Sequence, residues 1–555
     1  MTFTQKAAGE LGARLRALGV DGVRASTFHS AALALLRRFE GDPGRILSTK
    51  ALLLRRIGNT LPPPFRFRPA GDLATEIEWA KNRRLTAETY VDRLGDHEPP
   101  VPPDLMLRVF REYERRKAAE GLLDFEDLLE WTVRLLEEDT AACSMVHERW
   151  HAFTVDEYQD VNLLQQALLD LWLGERDELC AVGDDYQAIY GFTGASARWL
   201  LALPQRFPHA RVVRLERSYR STPQVLELAN RLVPRLGGSA KTLAATVSDG
   251  PEPVVGPGLD VAAHVRELHA DGLPLEEMAV LVRTNARTTE FEEAFHDAGI
   301  PFQGASLLDR DAARHLLKVL RGDTSLDVAG RVRRTAVAQG LLDDPPEKLG
   351  DREQTRQADL ARLVRLAEQF DDGERTVAEF AASLAERFGA SAGRGVHLMT
   401  LHRAKGLEFE AVHLPRLEEG ELPIRRARGA EIEEERRLLY VGLTRAKRHL
   451  TLTWSGRPSR FLDELGIRGG PVTVPAAAKP KLEATPAVQA LKEWRLARAR
   501  AEEVPAYVVF NDRTLAELVR LHPTTISELA EVPGIGPAKL ERFGPELLAA
   551  LRDVA

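Results

Sequence analysis

Phe153-Thr154-Val155-Asp156-Glu157-Tyr158-Gln159-Asp160 is the stretch that decides the fold, and Leu179-Cys180-Ala181-Val182-Gly183-Asp184-Asp185 repeats its grammar. Each is a short apolar run that ends abruptly in acids. An apolar run too short for a helix, bounded by polar loops and alternating with helical segments, is the pattern of a strand buried on both faces of a parallel sheet. Further runs of this kind predict strands at Val212–Leu215, Ala279–Val282, Val396–Met399, Val412–Leu414 and Leu450–Thr453. Between them the chain reads as helical, most densely over residues 45–130 and again over Asp311–Leu320 and Gln357–Phe370. The expected class is therefore α/β, with more than one sheet domain and with helical insertions. A chain of 555 residues exceeds the size at which one hydrophobic core stops growing.

Composition narrows the function classes. The 44% hydrophobic and 29% charged fractions are those of a globular protein. No apolar run is long enough to span a membrane, and the first residues lack the apolar core of a signal peptide, so a cytoplasmic protein is expected. Two cysteines, Cys143 and Cys180, make neither a disulfide framework nor a zinc-ligand pattern. The net charge of -7 argues against coating nucleic acid by bulk charge but leaves room for a local basic channel.

The acids at the strand ends carry the chemistry. In open α/β sheets ligands bind beyond the carboxyl ends of the strands. There, one carboxylate of Asp156-Glu157 can hold Mg²⁺ while the next orients or deprotonates a water. Taken alone, such a pair is more often a solvated loop. Gln187, in Val182-Gly183-Asp184-Asp185-Tyr186-Gln187-Ala188-Ile189-Tyr190-Gly191-Phe192, places an amide where it could sense a phosphate. Tyr190 and Phe192 offer faces for base stacking, or are core residues. In Ser218-Tyr219-Arg220-Ser221-Thr222 an arginine beside a tyrosine can pair a phosphate while the ring stacks, though a surface arginine and a half-buried tyrosine fit as well. Thr444-Arg445-Ala446 could present an arginine to charge developing on a transferred phosphoryl group, or lie on a solvated helix.

The order of these motifs goes further than any one of them. Asp-Glu-Tyr-Gln-Asp, Gly-Asp-Asp-x-Gln-x-Ile-Tyr, Ser-Tyr-Arg-Ser-Thr, Thr400-Leu401-His402-Arg403-Ala404-Lys405-Gly406-Leu407-Glu408-Phe409 and Tyr440-Val441-Gly442-Leu443-Thr444-Arg445-Ala446 follow one another along the chain. This resembles motifs II to VI of the UvrD/PcrA/Rep DNA helicases of superfamily 1. Thr2-Phe3-Thr4-Gln5-Lys6-Ala7-Ala8 and Thr27-Phe28-His29-Ser30 resemble motifs Ia and Ib, so the likeness covers about residues 1–465. The tail, with Leu529-Ala530-Glu531-Val532-Pro533-Gly534-Ile535-Gly536-Pro537, resembles an HRDC domain.

The resemblance implies two RecA-like parallel-sheet domains with helical insertions and a small all-α HRDC domain. The implied boundaries are 1–43 and 131–205 for domain 1A, 44–130 for 1B, 206–303 and 394–468 for 2A, and 304–393 for a reduced 2B. The Pro/Ala/Lys-rich stretch from about Gly470 to Pro486 reads as a linker and Leu491–Glu502 as a basic helix; a linker over 469–503 and an HRDC domain over 504–555 complete the boundaries. It implies a 3′→5′ DNA helicase using ATP and Mg²⁺, acting on single-stranded DNA and 3′-tailed duplexes, with repair proteins as partners and no membrane. By position, Asp156 is the Mg²⁺-side acid, Glu157 the catalytic base and Gln187 the γ-phosphate sensor. Tyr219 stacks on adenine, Arg220 and Arg445 clamp the γ-phosphate, and Glu408 bonds the ribose. Phe3, Thr27, His29, Tyr190, Phe192 and His402 fall where the family contacts DNA. The Gly534–Pro537 turn is a further phosphate-contact candidate, or a structural turn.

Three departures qualify this. Gly-x-x-x-x-Gly-Lys-[Ser/Thr] occurs nowhere in the sequence. The family places that phosphate loop ahead of motif Ia, so a truncated chain is expected rather than a decayed one, because the downstream catalytic positions are intact. Phe192-Thr193 stands where the family usually has Trp-Arg, and the segment between motifs IV and V is short. A helicase-nuclease fusion is disfavoured because the tail is too short for a nuclease domain. A DNA-binding protein without catalysis is the remaining alternative.

Overall fold

The structure is a computed structural model. It describes all residues except 63, 64, 66–69, 305, 306, 343–350, 389–393, 426, 468–485, 502–511, 531, 533–536 and 553–555. The chain divides into two compact units, Met1–Ala305 with Asp343–Gln357 and Ala390–Val472, and Ser306–Leu342 with Ala358–Gly389 and Thr473–Ala555.

The first unit is α/β. Its smaller sheet pairs β1 (Phe153–Val155) in parallel with β2 (Leu179–Ala181). Helices Phe28–Phe39, Phe125–Glu138 and Leu163–Leu173 cover it through a core that includes Phe28, Leu129, Leu168 and Trp172. Trp172 stacks on Phe28 at 5.9 Å and on Phe153 at 5.9 Å. The larger sheet contains β3 (Val254–Pro257), β4 (Met278–Val282), β5 (Phe302–Gln303), β6 (Val396–Thr400), β7 (Phe409–Leu414) and β8 (Ala446–Trp454). All its pairings are parallel and the order is β3-β8-β7-β4-β6-β5. Every residue of β4 is buried, which is why it reads as an unbroken apolar run. A third group, Ile77, Tyr90, Val109 and Tyr113 among others, forms a helical core over residues 47–122.

The second unit is helical among its described residues. Leu316, Val332, Leu360, Leu363 and Phe380 form one core, with Arg310 buried against Asp359 at 2.6 Å. Leu491, Leu515, Leu518, Leu529, Phe543 and Leu547 form another.

Several expectations need correcting. Val212–Leu215 is not a strand. It runs as irregular chain with Val212 60%, Val213 62% and Leu215 80% exposed. An apolar run becomes a strand only with a ladder partner, and none pairs with it among the described residues. Edge strands β3 and β5 went unread, the first because it is mostly exposed and carries Gly256 and Pro257, the second because it is only Phe302–Gln303. The expected linker over 469–503 contains the helix Pro486–Ala501, which belongs to the C-terminal core. Leu491 is buried there and Trp494 meets Phe543 edge-on at 6.3 Å. The basic helix expected at Leu491–Glu502 is thus present, but it packs into that core instead of leading up to it. The Gly534–Pro537 turn lies largely outside the described residues.

The two sheets differ in how well their hydrogen bonds are sheltered. β6 lies between two neighbours, whereas in β2 Cys180 is exposed and the flanking residues are half-buried. Amide hydrogen exchange should therefore show Phe153–Val155 and Leu179–Val182 exchanging faster than Val396–Met399. Equal protection would mean that β2's outer edge is covered.

Candidate active site

The acidic loop after β1 is held by its own chain. Asp156 is exposed, and its Oδ1 accepts the Glu157 N–H at 2.9 Å. Glu157 adopts a left-handed conformation with φ 51°, unusual for a residue with a side chain, and its carboxylate accepts from Gln159 Nε2. Asp160 points inward. Burial, partly offset by Lys405, pushes its carboxyl up to about 6.

Lys405 comes from the turn after β6. Its Nζ donates to Asp160 at 2.5 Å and to the Gln187 carbonyl at 2.8 Å, and lies 3.6 Å from Glu157. One ammonium thus ties the turn after β6 to both acidic loops. In the sequence Lys405 is one residue of the Thr400–Phe409 motif, with no role of its own assigned. The available signal was a lone lysine after a buried strand in a chain whose facing loops are acidic.

A cavity of about 730 Å³ collects five of the expected residues: Gln187, Tyr219, Arg220, Glu408 and Arg445 all line it. Asp156 and Glu157 do not line it. Backbone pairing explains the convergence. Phe409 N–H donates to the Arg445 carbonyl at 3.0 Å, so Glu408 and Arg445 sit side by side at the starts of β7 and β8. Thr222 N–H donates to the Lys447 carbonyl at 2.9 Å and Ser221 Oγ to the Ala446 carbonyl at 2.7 Å, which fastens the Tyr219–Arg220 loop to the same place.

The ring of Tyr219 is 75% exposed. Arg220 pairs with Glu408, and Lys447 lies 3.7 Å from Glu408 and 3.3 Å from Glu410. Gln187 Nε2 donates to Asp184 at 2.8 Å, and Lys241 bridges Asp184 and Asp185.

Arg445 is only 1% exposed. Its guanidinium donates to the Val441 carbonyl at 3.0 Å, the Leu407 carbonyl at 3.0 Å and the Thr444 hydroxyl at 3.1 Å. Burial first, and Arg220 second, lower it to about 10, so it stays cationic at neutral pH.

Aromatic groups divide into two sets. Tyr190, Phe192 and His402 form a ledge: Tyr190 to Phe192 is 6.0 Å, Phe192 to His402 5.7 Å and Tyr190 to His402 6.5 Å. Lys405 lies 5.0 Å from the Tyr190 ring centre, and Phe192 is 47% exposed. Phe3, Thr27 and His29 have local partners of their own. Phe3 packs on Phe28 at 6.1 Å. The Thr27 hydroxyl is buried and caps the helix Phe28–Phe39 by accepting the Ser30 N–H at 3.1 Å. His29 meets Phe125 edge-on at 5.7 Å, and burial lowers it to about 4, so it is neutral at pH 7.

With this geometry in view, the comparisons with known proteins give one answer. The UvrD/REP helicase N-terminal domain matches residues 1–208, the UvrD-like helicase C-terminal domain residues 328–457, and the HRDC domain residues 485–551. ATP-dependent DNA helicase UvrD2 of Mycobacterium tuberculosis is 39% identical over all of this chain and 91% of its own length. The chain belongs to the UvrD-like helicase family. ATP-dependent DNA helicase PcrA of Bacillus subtilis is 28% identical over 82% of this chain and 76% of its own length. DNA helicase II of Escherichia coli is 29% identical over 84% of this chain and 80% of its own length. The HRDC match begins at residue 485, in agreement with the packing of the helix Pro486–Ala501. No described helix of this UvrD-like protein is long and apolar enough to cross a membrane.

Glu434 links two of the family's motifs. It lies on the helix Ala430–Leu443, its Oε1 accepts the Gly191 N–H at 3.1 Å, and burial pushes its carboxyl up to about 7. The folded state therefore binds this proton more tightly than the unfolded chain, and stability from this group falls as pH rises from about 4.5 to 7. Glu434→Gln should remove that decline and be stabilised relative to the parent by roughly 1–3 kcal/mol at pH 8 but not at pH 4. Melting temperatures of both proteins across that range check this.

Proposed function

We propose that this chain carries the motor and DNA-binding parts of an ATP-driven DNA helicase that moves 3′→5′ on single-stranded DNA and opens 3′-tailed duplexes in DNA repair. The observation that carries the reading is the single cavity gathering Gln187, Tyr219, Arg220, Glu408 and Arg445. Relatives described as ATP-dependent DNA helicases support it. In this reading residues 1–43 and 131–205 form domain 1A and 206–303 with 394–468 form 2A, with 44–130 and 304–393 as insertions.

ATP is the substrate. The exposed Tyr219 ring suits the adenine, and Glu408 the ribose hydroxyls. Arg220, which lines the cavity, suits a phosphate, reached by exchanging Glu408 for it. Arg445 lines the same cavity but is tied to two carbonyls and a hydroxyl, so it meets a phosphate only after a small shift. Gln187 is positioned to report on the terminal phosphate through Asp184. Asp156 fits Mg²⁺, a hard cation usually held by one or two carboxylates together with substrate phosphates. When bound, the ion neutralises charge on those phosphates. Glu157 orients the attacking water and takes its proton. The Tyr190–Phe192–His402 ledge provides stacking surface for bases.

The alternative reading is a DNA-binding protein without turnover. The sequence contains no Gly-x-x-x-x-Gly-Lys-[Ser/Thr] loop to cradle the β-phosphate. The two readings part in one experiment. The 555-residue chain should hydrolyse ATP poorly, and fusing a family phosphate-loop segment ahead of Met1 should produce DNA-stimulated turnover and unwinding of 3′-tailed duplexes. Arg445→Ala in that fusion should lower turnover by roughly 10³–10⁵ while sparing DNA binding. Unwinding of 5′-tailed duplexes alone would overturn the polarity, and a fusion that binds DNA without turnover would favour the second reading.

Tyr219→Ala should separately weaken binding of a fluorescent ADP analogue, with little effect on melting temperature, because the ring is exposed. Unchanged nucleotide affinity would remove Tyr219 from the site.

A further inference from the structure

Beside the aromatic ledge lies a second cavity, of about 270 Å³, whose walls are unusually rich in positive charge. Arg83 follows the helix Ala70–Asn82, Arg93 closes the turn Val91–Arg93, and Arg198 opens the short helix Arg198–Leu201. All three line this cavity, together with Gly191, Gly194 and Trp199. Among the described residues none of the three pairs with a carboxylate. Their neighbour Arg84 shows the ordinary alternative, lying 3.0 Å from Glu130 and 3.6 Å from Glu137. Arg83 instead lies over the Trp79 ring at 4.9 Å and Arg198 over the Trp199 ring at 4.2 Å. These stacks orient the guanidinium groups without neutralising them.

Two further features have the same sign. The Trp199 indole N–H is buried without an acceptor. Leu163, also in the cavity wall, is the first residue of the helix Leu163–Leu173, so the positive end of that helix lies here. Glu434, a carboxyl beside the neighbouring loop, accepts the Gly191 N–H. A cavity lined by donors and by cations without carboxylate partners among the described residues favours an anion, whose entry offsets the mutual repulsion that solvent screens in part.

Its position indicates which anion. Gly191 and Gly194 flank Phe192, so the cavity wall and the stacking ledge are one loop. That loop is pinned to the Ala70–Asn82 helix by Asn82 Nδ2 donating to the Thr193 carbonyl at 2.8 Å. Gly194, at φ 90°, allows the close approach, since a Cβ there would lie 3.2 Å from Asn82 Cβ and 3.3 Å from the Trp79 carbonyl.

We infer that Arg83, Arg93 and Arg198 form a subsite for a backbone phosphate of the single-stranded DNA whose bases stack on the Tyr190–Phe192–His402 ledge. This rests on the DNA reading of that ledge. The cluster supplies charge and register but no base recognition.

The test uses the full chain and a thymidine oligonucleotide, with binding measured over a salt series for Arg83→Gln, Arg93→Gln and Arg198→Gln beside Phe192→Ala. The arginines are exposed, so the variants should fold. Each arginine variant should weaken binding and reduce the slope of log K against log salt by about 0.7. The corresponding Arg→Lys variants should restore the slope. A methylphosphonate oligonucleotide, with uncharged linkages, should bind parent and arginine variants alike. Phe192→Ala should weaken binding with the slope unchanged. Unaltered slopes in all three arginine variants, with Phe192→Ala still weakened, would overturn the subsite and leave the ledge standing. Unaltered binding in all four variants would overturn the ledge reading and the subsite with it.

Discussion

The backbone pairing of β7 with β8 is the contact on which the candidate active site depends. Phe409 donating to the Arg445 carbonyl, with Phe409 and Ala446 in register, sets two strand starts side by side. The residues just before those strands, Glu408 and Arg445, become neighbours without any attraction between their side chains. The same strand start then receives Ser221 and Thr222 through main-chain carbonyls, and with them Tyr219 and Arg220. Three segments far apart in sequence are joined by hydrogen bonds that do not depend on which side chains the cavity displays. A site built this way can vary its chemistry while keeping its geometry.

Charge is distributed on this frame in two ways. Within the cavity, cations are partly paired: Arg220 with Glu408, and Lys447 with Glu408 and Glu410. An incoming polyanion can exchange such partners at modest cost, because exposed pairs are weak. Lys405 is the opposite case, largely buried and shared among Asp160, Glu157 and the Gln187 carbonyl. Removing one member of such a group leaves a buried charge uncompensated, so it acts as a fixed strut between loops. The unpaired arginines beside the aromatic ledge are a third arrangement, a field without internal neutralisation.

Much of the architecture was legible because parallel strands are buried on both faces. Met278–Val282, Val396–Thr400, Phe409–Leu414 and Ala446–Trp454 each contain an apolar run visible without structure. The failures share a cause as well. Val212–Leu215 has strand chemistry but no paired neighbour, and the edge strand Val254–Pro257 has a neighbour but little burial. The helix Pro486–Ala501 buries Leu491 within a basic segment, so its helical pattern was legible but its place in the C-terminal core was not.

By itself, the sequence determined the α/β class, the order of the motifs and the set of residue types able to handle a nucleotide and a nucleic acid. Those properties reside in local patterns: burial periodicity, turn chemistry and the spacing of acids, arginines and aromatics. Only the tertiary structure decided which of these residues meet. It joined Gln187, Tyr219, Arg220, Glu408 and Arg445 in one cavity and brought Tyr190, Phe192 and His402 together in a ledge. It also gave Lys405 its role and assembled Arg83, Arg93 and Arg198 from two distant stretches. The physical reason is that contacts at long sequence separation are set by strand register and loop closure, and neither leaves a mark in the local pattern of side chains.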